Sequence, residues 1–312
     1  MAKARYPIHP DFEPWSRMHP PINRAMLPVM QTLMGLLFTR EKSTAELRVE
    51  RKPIPADGAN LRALLYSPIG LEGPAPLLID YHGGGFVFPA APYHYELARA
   101  YALRAGCRVL FVDYRLAPKH PFPTASEDAY AAYVWALGHA EELGIDRGRV
   151  AVAGDSAGGT LATVVGLMAA ERGMPLPCAQ MLIYPAVGLS EGTESMKQFT
   201  DTPMCNSRDA KKYDELYMPD PSAGKPEYAA PLGAPSLAGQ PAAYIETAEF
   251  DCLRDSGILY AERLQREGVP AELHNTKGTM HGFDIVLKSP IVQACVDDRV
   301  AFLKRVFTDA QA

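Results

Sequence analysis

The chain has 312 residues, 47% of them hydrophobic, and a formal net charge of -5 at pH 7, enough apolar content for a large core in one domain with insertions. That acidic balance offers no broad basic face and so excludes electrostatic nucleic-acid binding. No run of about 18 apolar residues could span a bilayer, and the cysteines Cys107, Cys178, Cys205, Cys252 and Cys295 show neither a disulfide framework nor a metal spacing. The first ten residues lack the continuous apolar stretch of a signal peptide, so the reading is a soluble, cytoplasmic protein with free thiols.

Residues 6–23 are dense in proline and aromatics (Pro7, Pro10, Phe12, Pro14, Trp15, Pro20, Pro21), which predicts an extended segment over the body. Ala25 to Thr39 follows with Met26, Met30, Leu33, Met34 and Leu37 at helical spacing. Two readings stand for it: an ordinary packed helix, or a lid whose pliable methionines face a ligand pocket. A membrane-surface helix is disfavoured, because the polar face lacks lysine and arginine. Leu47 to Arg51 and Leu61 to Tyr66 read as strands around the turn Pro55–Ala59, and Pro76 to Tyr81 as a buried strand. That strand delivers His82-Gly-Gly-Gly85, a tetrad expected by chance only about 0.004 times in a chain of this composition. Glycines allow backbone amides to approach a substrate oxygen with no Cβ in the way.

Pro92 to Ala105 reads as a helix closed by Gly106, Arg108 to Asp113 as a core strand, Pro123 to Leu143 as a helix from near Thr124, and Gly144 to Gly148 as a turn. Next, the valine-rich alternation Arg149–Ala153 turns sharply at Ser156 into the apolar helical pattern Thr160–Arg172. Strand and helix backbones can meet so closely only beside small residues, and Gly154 and Gly158 stand there. A second match to the G-x-S-x-G pattern, Gly188-Leu-Ser-Glu-Gly192, is followed by no helical period, which makes Ser190 a loop residue. Chance predicts about 0.08 such matches, so context must separate the two. The alternation of strand and helix calls for an α/β fold with a mostly parallel sheet.

His82-Gly-Gly-Gly-Phe86, Tyr114-Arg-Leu-Ala-Pro-Lys-His-Pro-Phe-Pro123 and Gly154-Asp-Ser-Ala-Gly158 together resemble the hormone-sensitive-lipase-like carboxylesterases, the HGGG-type bacterial family IV of the α/β-hydrolase superfamily, from about Val49 to the carboxyl end. The resemblance implies an α/β-hydrolase fold with a helical cap. It implies Ser156 as nucleophile on its elbow and an oxyanion hole from the amides of Gly84, Gly85 and Ala157. His82 then holds the loop, with Gly83, Gly154, Asp155 and Gly158 as motif support. Two positions depart from the family pattern: Pro89 where glycine is frequent, touching the pocket wall, and Cys252 where proline is usual, touching the loop of the acid.

In the second half, Gln180 to Tyr184 is a strand, Val187 to Asn206 an irregular insertion, and Ser207 to Met218 a helix with Tyr213, Leu216 and Tyr217 on one face. The resemblance makes this region and the amino-terminal segment a cap, with both tyrosines packing it. Pro219 to Gln240 reads as loop. Ala242 to Thr247 restores the strand pattern, and Asp251 beyond it matches the triad acid; Asp255 suits a helix cap, and Glu249 is the weaker substitute. After the strand Ala271 to Asn275, which holds a structural His274, the loop Thr276–Met280 leads to His281, completing the order Ser, Asp, His of this fold. Pro290 to Phe307 is an amphipathic closing helix.

The expected organisation is one catalytic domain: a cap segment 1–45, core 46–186, a second cap segment 187–218, and core 219–312. The expected activity is hydrolysis of short- to medium-chain carboxylic esters through an acyl-enzyme, with no metal or organic cofactor and a small-molecule ester as partner; a homodimer is entertained. An amidase or deacetylase using the same triad is the first alternative. A non-catalytic small-molecule receptor is the other, and the presence of His281 argues against it.

Overall fold

Alternate side chains of the central strands leave on opposite sides of one sheet, and helices cover both sides. The computed structural model describes residues 6–188 and 192–310; Ser190 lies outside them. Eight strands, β1 (Leu47–Ala56), β2 (Ala59–Pro68), β3 (Ala75–Tyr81), β4 (Arg108–Asp113), β5 (Ile145–Asp155), β6 (Ala179–Ile183), β7 (Ala242–Phe250) and β8 (Ala271–Met280), run in the order β1-β2-β4-β3-β5-β6-β7-β8. The pairs β1/β2 and β2/β4 are antiparallel, and every pairing from β4 to β8 is parallel. The helices are α1 (Leu27–Arg40), α2 (Pro92–Ala105), α3 (Thr124–Gly138), α4 (Ala140–Leu143), α5 (Ala157–Glu171), α6 (Glu194–Gln198), α7 (Ser207–Tyr217), α8 (Arg254–Arg266) and α9 (Pro290–Asp309).

The two-residue period of a strand divides the core. Leu77, Ile79 and Tyr81 of β3 pack in one cluster with Ala129 of α3, Leu161 of α5 and Leu264 of α8. Leu78 packs on the other side with Tyr101 of α2 and Leu303 of α9. Among the described residues, no helix is long and apolar enough to cross a membrane.

Tertiary pairing corrects several boundaries. Residues 10–15 form a 3-10 helix, and Phe12 is buried edge-to-face against Phe283 at 6.1 Å, so this stretch is not extended. Of the expected turn Gly144–Gly148, Gly144 ends α4 and residues 145–148 belong to β5, where the register against β3 slips between Ala75 and Leu77 and Asp146 accepts the Gly148 amide. Thr276–Met280, read as a loop, continues β8 through a bulge with Gly278 at φ +69°. The 219–240 loop contains two 3-10 turns, at 226–228 and 231–233, and the 187–206 insertion contains α6. The methionine stripe of α1 divides: Met30 and Met34 face a pocket, while Met26 and Leu33 stand about 60% exposed (59% and 62%).

Charge is buried on the α2/α9 side of the sheet. Arg299 of α9, wholly buried, donates to Glu246 Oε1 at 2.7 Å and to Asp284 Oδ1 at 3.1 Å. Tyr244 donates to the same Glu246 and Tyr184 to the same Asp284. Breaking such a buried pair by removing one partner typically costs about 3–5 kcal/mol, because the other charge is stranded. Close by, Asp80 at the end of β3 faces a cavity of about 20 Å³ shared with His94, Tyr101, Asp155 and Asp284, room for one water. Burial first, and then the Asp155 carboxylate, raise the Asp80 carboxyl to about 7, against the pull of His94 and Arg299.

A pH-dependent stability follows from that shift. In the unfolded chain an aspartate titrates near about 3.9, so the neutral Asp80 contributes stability that is fully present below that pH. It is lost as the pH rises through about 7, a change on the order of 3–4 kcal/mol. Urea midpoints of the parent and Asp80→Asn should therefore diverge between about pH 4 and 7 and keep a constant separation above that, with the asparagine variant the more stable at the alkaline end. Parallel curves would count against a charge-bearing Asp80.

Candidate active site

The β5–α5 turn holds Ser156 at φ 52° and ψ −117°, a conformation that costs a non-glycine residue on the order of 1–3 kcal/mol and persists only where the surroundings enforce it. They do so from both sides: the Ser156 amide donates to Ile183 O at 2.9 Å, and its carbonyl accepts from Ala186 at 3.0 Å. The turn also presses backbone on backbone. A Cβ on Gly158 would strike the Tyr81 carbonyl, and one on Gly154 would strike the backbone of Gly158. The Ser156 side chain is thereby left at the carboxyl edge of the sheet.

Two other strand ends deliver side chains to the same point. His281, immediately after β8, has Nε2 2.9 Å from Ser156 Oγ and Nδ1 2.8 Å from Asp251 Oδ2. Asp251, immediately after β7, is wholly buried, and its second oxygen accepts the Leu253 amide at 2.9 Å. Burial by itself would lower the imidazole, but the Asp251 charge and its hydrogen bond outweigh it and raise His281 to about 9. The ring also packs edge-to-face on Tyr184 at 5.0 Å. A hydroxyl, an imidazole and a buried carboxylate in this line can pass the hydroxyl proton to the ring while the carboxylate fixes the tautomer.

The glycine loop after β3 faces the same hydroxyl. Gly83 donates its amide to Asp155 Oδ1 at 2.7 Å, whereas no acceptor within the protein is present for the Gly84 and Gly85 amides among the described residues. The Ala157 amide, at the first residue of α5, has no partner inside its helix and lies at the positive end of the helix dipole. Gly84 sits at φ +122° and Gly85 at φ +60°; a Cβ on Gly85 would come within 2.6 Å of the Tyr213 ring. His82 bonds Gly83 O through Nδ1 at 2.7 Å and stacks on Tyr114 at 4.4 Å, so it is internal to the loop; burial above all lowers its pKa to about 4.

Asp155 joins the turn to the loop. Besides the Gly83 amide it binds His94 Nε2 at 3.2 Å and accepts from Tyr93 at 3.4 Å. Both partners lie on α2 and carry no motif, so the sequence reading missed them; their i, i+1 position at the start of a helix after a glycine-rich loop is the only signal available. The pocket above has a volume of about 250 Å³. Its walls include Met30 and Met34 of α1, Phe88 and Pro89 beyond the glycine loop, Met204 and Cys205 of the insertion, Tyr213 and Tyr217 of α7, and Leu253 and Ile285. Tyr217 stacks on Phe86 at 3.7 Å.

The remaining sequence candidates lie elsewhere. Glu249 accepts the Gly278 amide at 2.7 Å, and His274 stacks on Tyr244 at 4.5 Å inside β8. Asp255 stands in the first turn of α8, where it suits the helix dipole without capping the helix, and it also accepts the Ser195 amide at 2.7 Å, tying α6 to α8. Cys252, wholly buried, sits beside Asp251 without displacing it.

A family model for the α/β-hydrolase fold matches residues 78–285. Over 247 residues the chain is 38% identical to the esterase LipI of Mycobacterium tuberculosis, covering 78% of this chain and 77% of that protein. It is 36% identical to the carboxylesterase NlhH of the same organism over 283 residues, 89% of this chain and 88% of the relative. Among solved structures, a bacterial heroin esterase superposes with a TM-score of 0.87 at 32% identity, over 96% of this chain and 98% of that one.

Proposed function

We propose that this chain, which belongs to the hormone-sensitive-lipase-like branch of the α/β-hydrolase family and hydrolyses carboxylic esters, does so with Ser156 as nucleophile, His281 as general base and Asp251 as the acid that orients it. The observation that carries the assignment is the unbroken line from Asp251 Oδ2 through both His281 nitrogens to Ser156 Oγ, 2.8 and 2.9 Å in its two links. His281 takes the Ser156 proton as Oγ attacks the ester carbonyl. The carbonyl electron pair moves onto oxygen, where the Gly84, Gly85 and Ala157 amides receive it. The alcohol leaves with the proton from His281, and water, activated by the same ring, releases the acid.

Each oxyanion donor is worth about 3–4 kcal/mol in comparable enzymes. Asp155 serves here by holding Gly83, which sets where the next two amides point. The segments 1–45 and 187–218 act as the cap of a single catalytic domain otherwise made of 46–186 and 219–312. Support comes from their residues on the pocket wall, Met30, Met34, Cys205 and Tyr213. A pocket so enclosed and so apolar suits neutral esters with short to medium acyl chains. The cysteines, all free, suit a reducing, cytoplasmic setting.

Ser156→Ala should lower turnover of a short p-nitrophenyl ester by on the order of 10⁴–10⁶, and Ser190→Ala should leave most of it. A matched amide run beside the ester separates the amidase alternative. The pH profile tests the acid and base. His281 acts as base only when neutral, so with a pKa raised to about 9 kcat/KM should climb through the mildly alkaline range. Asp251→Asn removes the charge that raises it; the acid limb should then move to lower pH while the rate falls by about 10⁴. An acid limb that stays in place in that variant would remove Asp251 from the role.

Acyl preference tests the cap. A methylene held against the wall contributes about 0.8 kcal/mol, so kcat/KM should rise with chain length until the wall is met and then fall. Met30→Ala and Met34→Ala should shift that maximum to longer chains. Point substitution is the appropriate probe, because Phe12, Leu27 and Phe38 are buried in the core and deletion of the segment would uncover it. Unchanged length profiles in both variants would take α1 out of the pocket.

A further inference from the structure

Helix α1 is bound to the body by few groups. Its buried residues are Leu27 near one end and Phe38 near the other. Between them one polar side chain crosses to the core: Gln31 Nε2 donates to Val87 O and to Ala117 O, both at 2.8 Å. Its two amide protons are thus both engaged, and neither carbonyl belongs to the cap. Val87 closes the tight turn that begins at Gly84, since the amides of Val87 and Phe88 donate to Gly84 O at 3.1 and 2.9 Å. Ala117 in turn donates its amide to Phe86 O at 2.9 Å. Phe86, a non-glycine residue, sits at φ 61°, so this short loop is strained there and depends on such external ties.

We infer that Gln31 is a positioning residue for ester hydrolysis: it locks the far side of the glycine loop and sets α1 in register with it, so that the acyl wall and the oxyanion amides are held as one unit. Asp155 fixes the near side of the loop through Gly83; Gln31 fixes the far side through Val87. Met30 precedes Gln31 and Met34 follows one turn later, both on the pocket wall. An acyl chain long enough to press on those methionines seats α1, and through Gln31 it seats the loop that receives the oxyanion. Acyl length therefore enters kcat as well as KM. This rests on the assignment of Ser156 and the loop amides made above.

The test uses the full chain with Gln31→Glu, nearly isosteric and without the two donors, Gln31→Leu, of similar bulk and uncharged, and Gln31→Lys, whose ammonium can still donate to both carbonyls. The readouts are kcat and KM on p-nitrophenyl acetate and hexanoate, thermal melting, and inhibition by a trifluoromethyl ketone. Addition of Ser156 Oγ to that ketone carries the hydroxyl proton to His281 and leaves an oxyanion on the former carbonyl, so its Ki reports the oxyanion site.

Removing an oxyanion donor outright costs about 10²–10³ in kcat, and misplacing the loop should cost part of that. The expected result is a fall in kcat of roughly 10- to 100-fold in Gln31→Glu and Gln31→Leu, a comparable rise in Ki, KM within about threefold, and a reduced kcat ratio of hexanoate to acetate. Gln31→Lys should recover most of the loss. Should Gln31→Glu fail to fold, Gln31→Leu decides by the same readouts. Values of kcat and Ki within about twofold of the parent, or a loss confined to KM, would overturn the inference. Full turnover in a parallel Ser156→Ala variant would instead sink the assignment on which it rests.

Discussion

Close backbone contact at the end of β5 is the constraint on which the rest of the site depends. Gly158 lies so near the Tyr81 carbonyl, and Gly154 so near Gly158, that α5 can begin only where no side chain intervenes. The same contact brings the end of β3 against the start of α5. It therefore sets two things at once: the strained backbone that presents Ser156, and the distance between the Ala157 amide and the glycine loop that leaves β3. Neither feature is a property of its own segment. Each exists because parallel strands β3 and β5 are neighbours in register, Tyr81 opposite Gly154.

Strain of this kind must be met by order elsewhere, and the structure supplies it as buried polar cross-links. Asp155 ties the turn to the glycine loop and to α2. Arg299 joins Glu246 in the middle of β7 to Asp284, three residues beyond His281. Tyr184, just past β6, donates to Asp284 and packs on the His281 ring. The middle of β7 and the histidine loop are thus bound to a single guanidinium on α9, and the end of β6 joins them through Tyr184 and Asp284. Desolvating these charges is costly, and replacement by apolar groups could be as stable; what the ionic arrangement adds is direction, since each bond fixes an orientation as well as a distance.

The proposed cap stands in a different relation to this framework. The core surrounding the proposed triad is held by continuous sheet and buried ions, whereas α1 leaves Met26, Val29, Leu33 and Leu36 at least half exposed and reaches the catalytic floor through Gln31. Helix α7 does so through Tyr213 over Gly85 and Tyr217 on Phe86. The proposed acyl wall and the proposed oxyanion amides consequently meet at the glycine loop.

The order Ser156, Asp251, His281, the glycine tetrad and the strand-helix alternation are legible in the sequence because each is a local pattern: small residues where backbones meet, apolar periods of two or 3.6, and polar groups just past a strand. The same local logic misplaces Thr276–Met280, whose lysine, glycine and threonines suit a loop until pairing with β7 draws them into β8. It also places Asp255 in the first turn of its own helix but misses the Ser195 amide, 60 residues away in the chain, that donates to it. Gln31, His94 and Arg299 carry no pattern at all. A glutamine in an apolar helix and an arginine in an amphipathic one read as solvent-facing, yet Gln31 binds Ala117, His94 binds Asp155 and Arg299 binds Glu246, respectively 86, 61 and 53 residues away in the chain. The sequence by itself determined the fold class and named the candidate reacting side chains, with the strand ends that carry them. Which groups hold those side chains in place, and what forms the wall of the pocket, only the tertiary structure decided, because a hydrogen bond depends on where two distant segments meet and leaves no period in either.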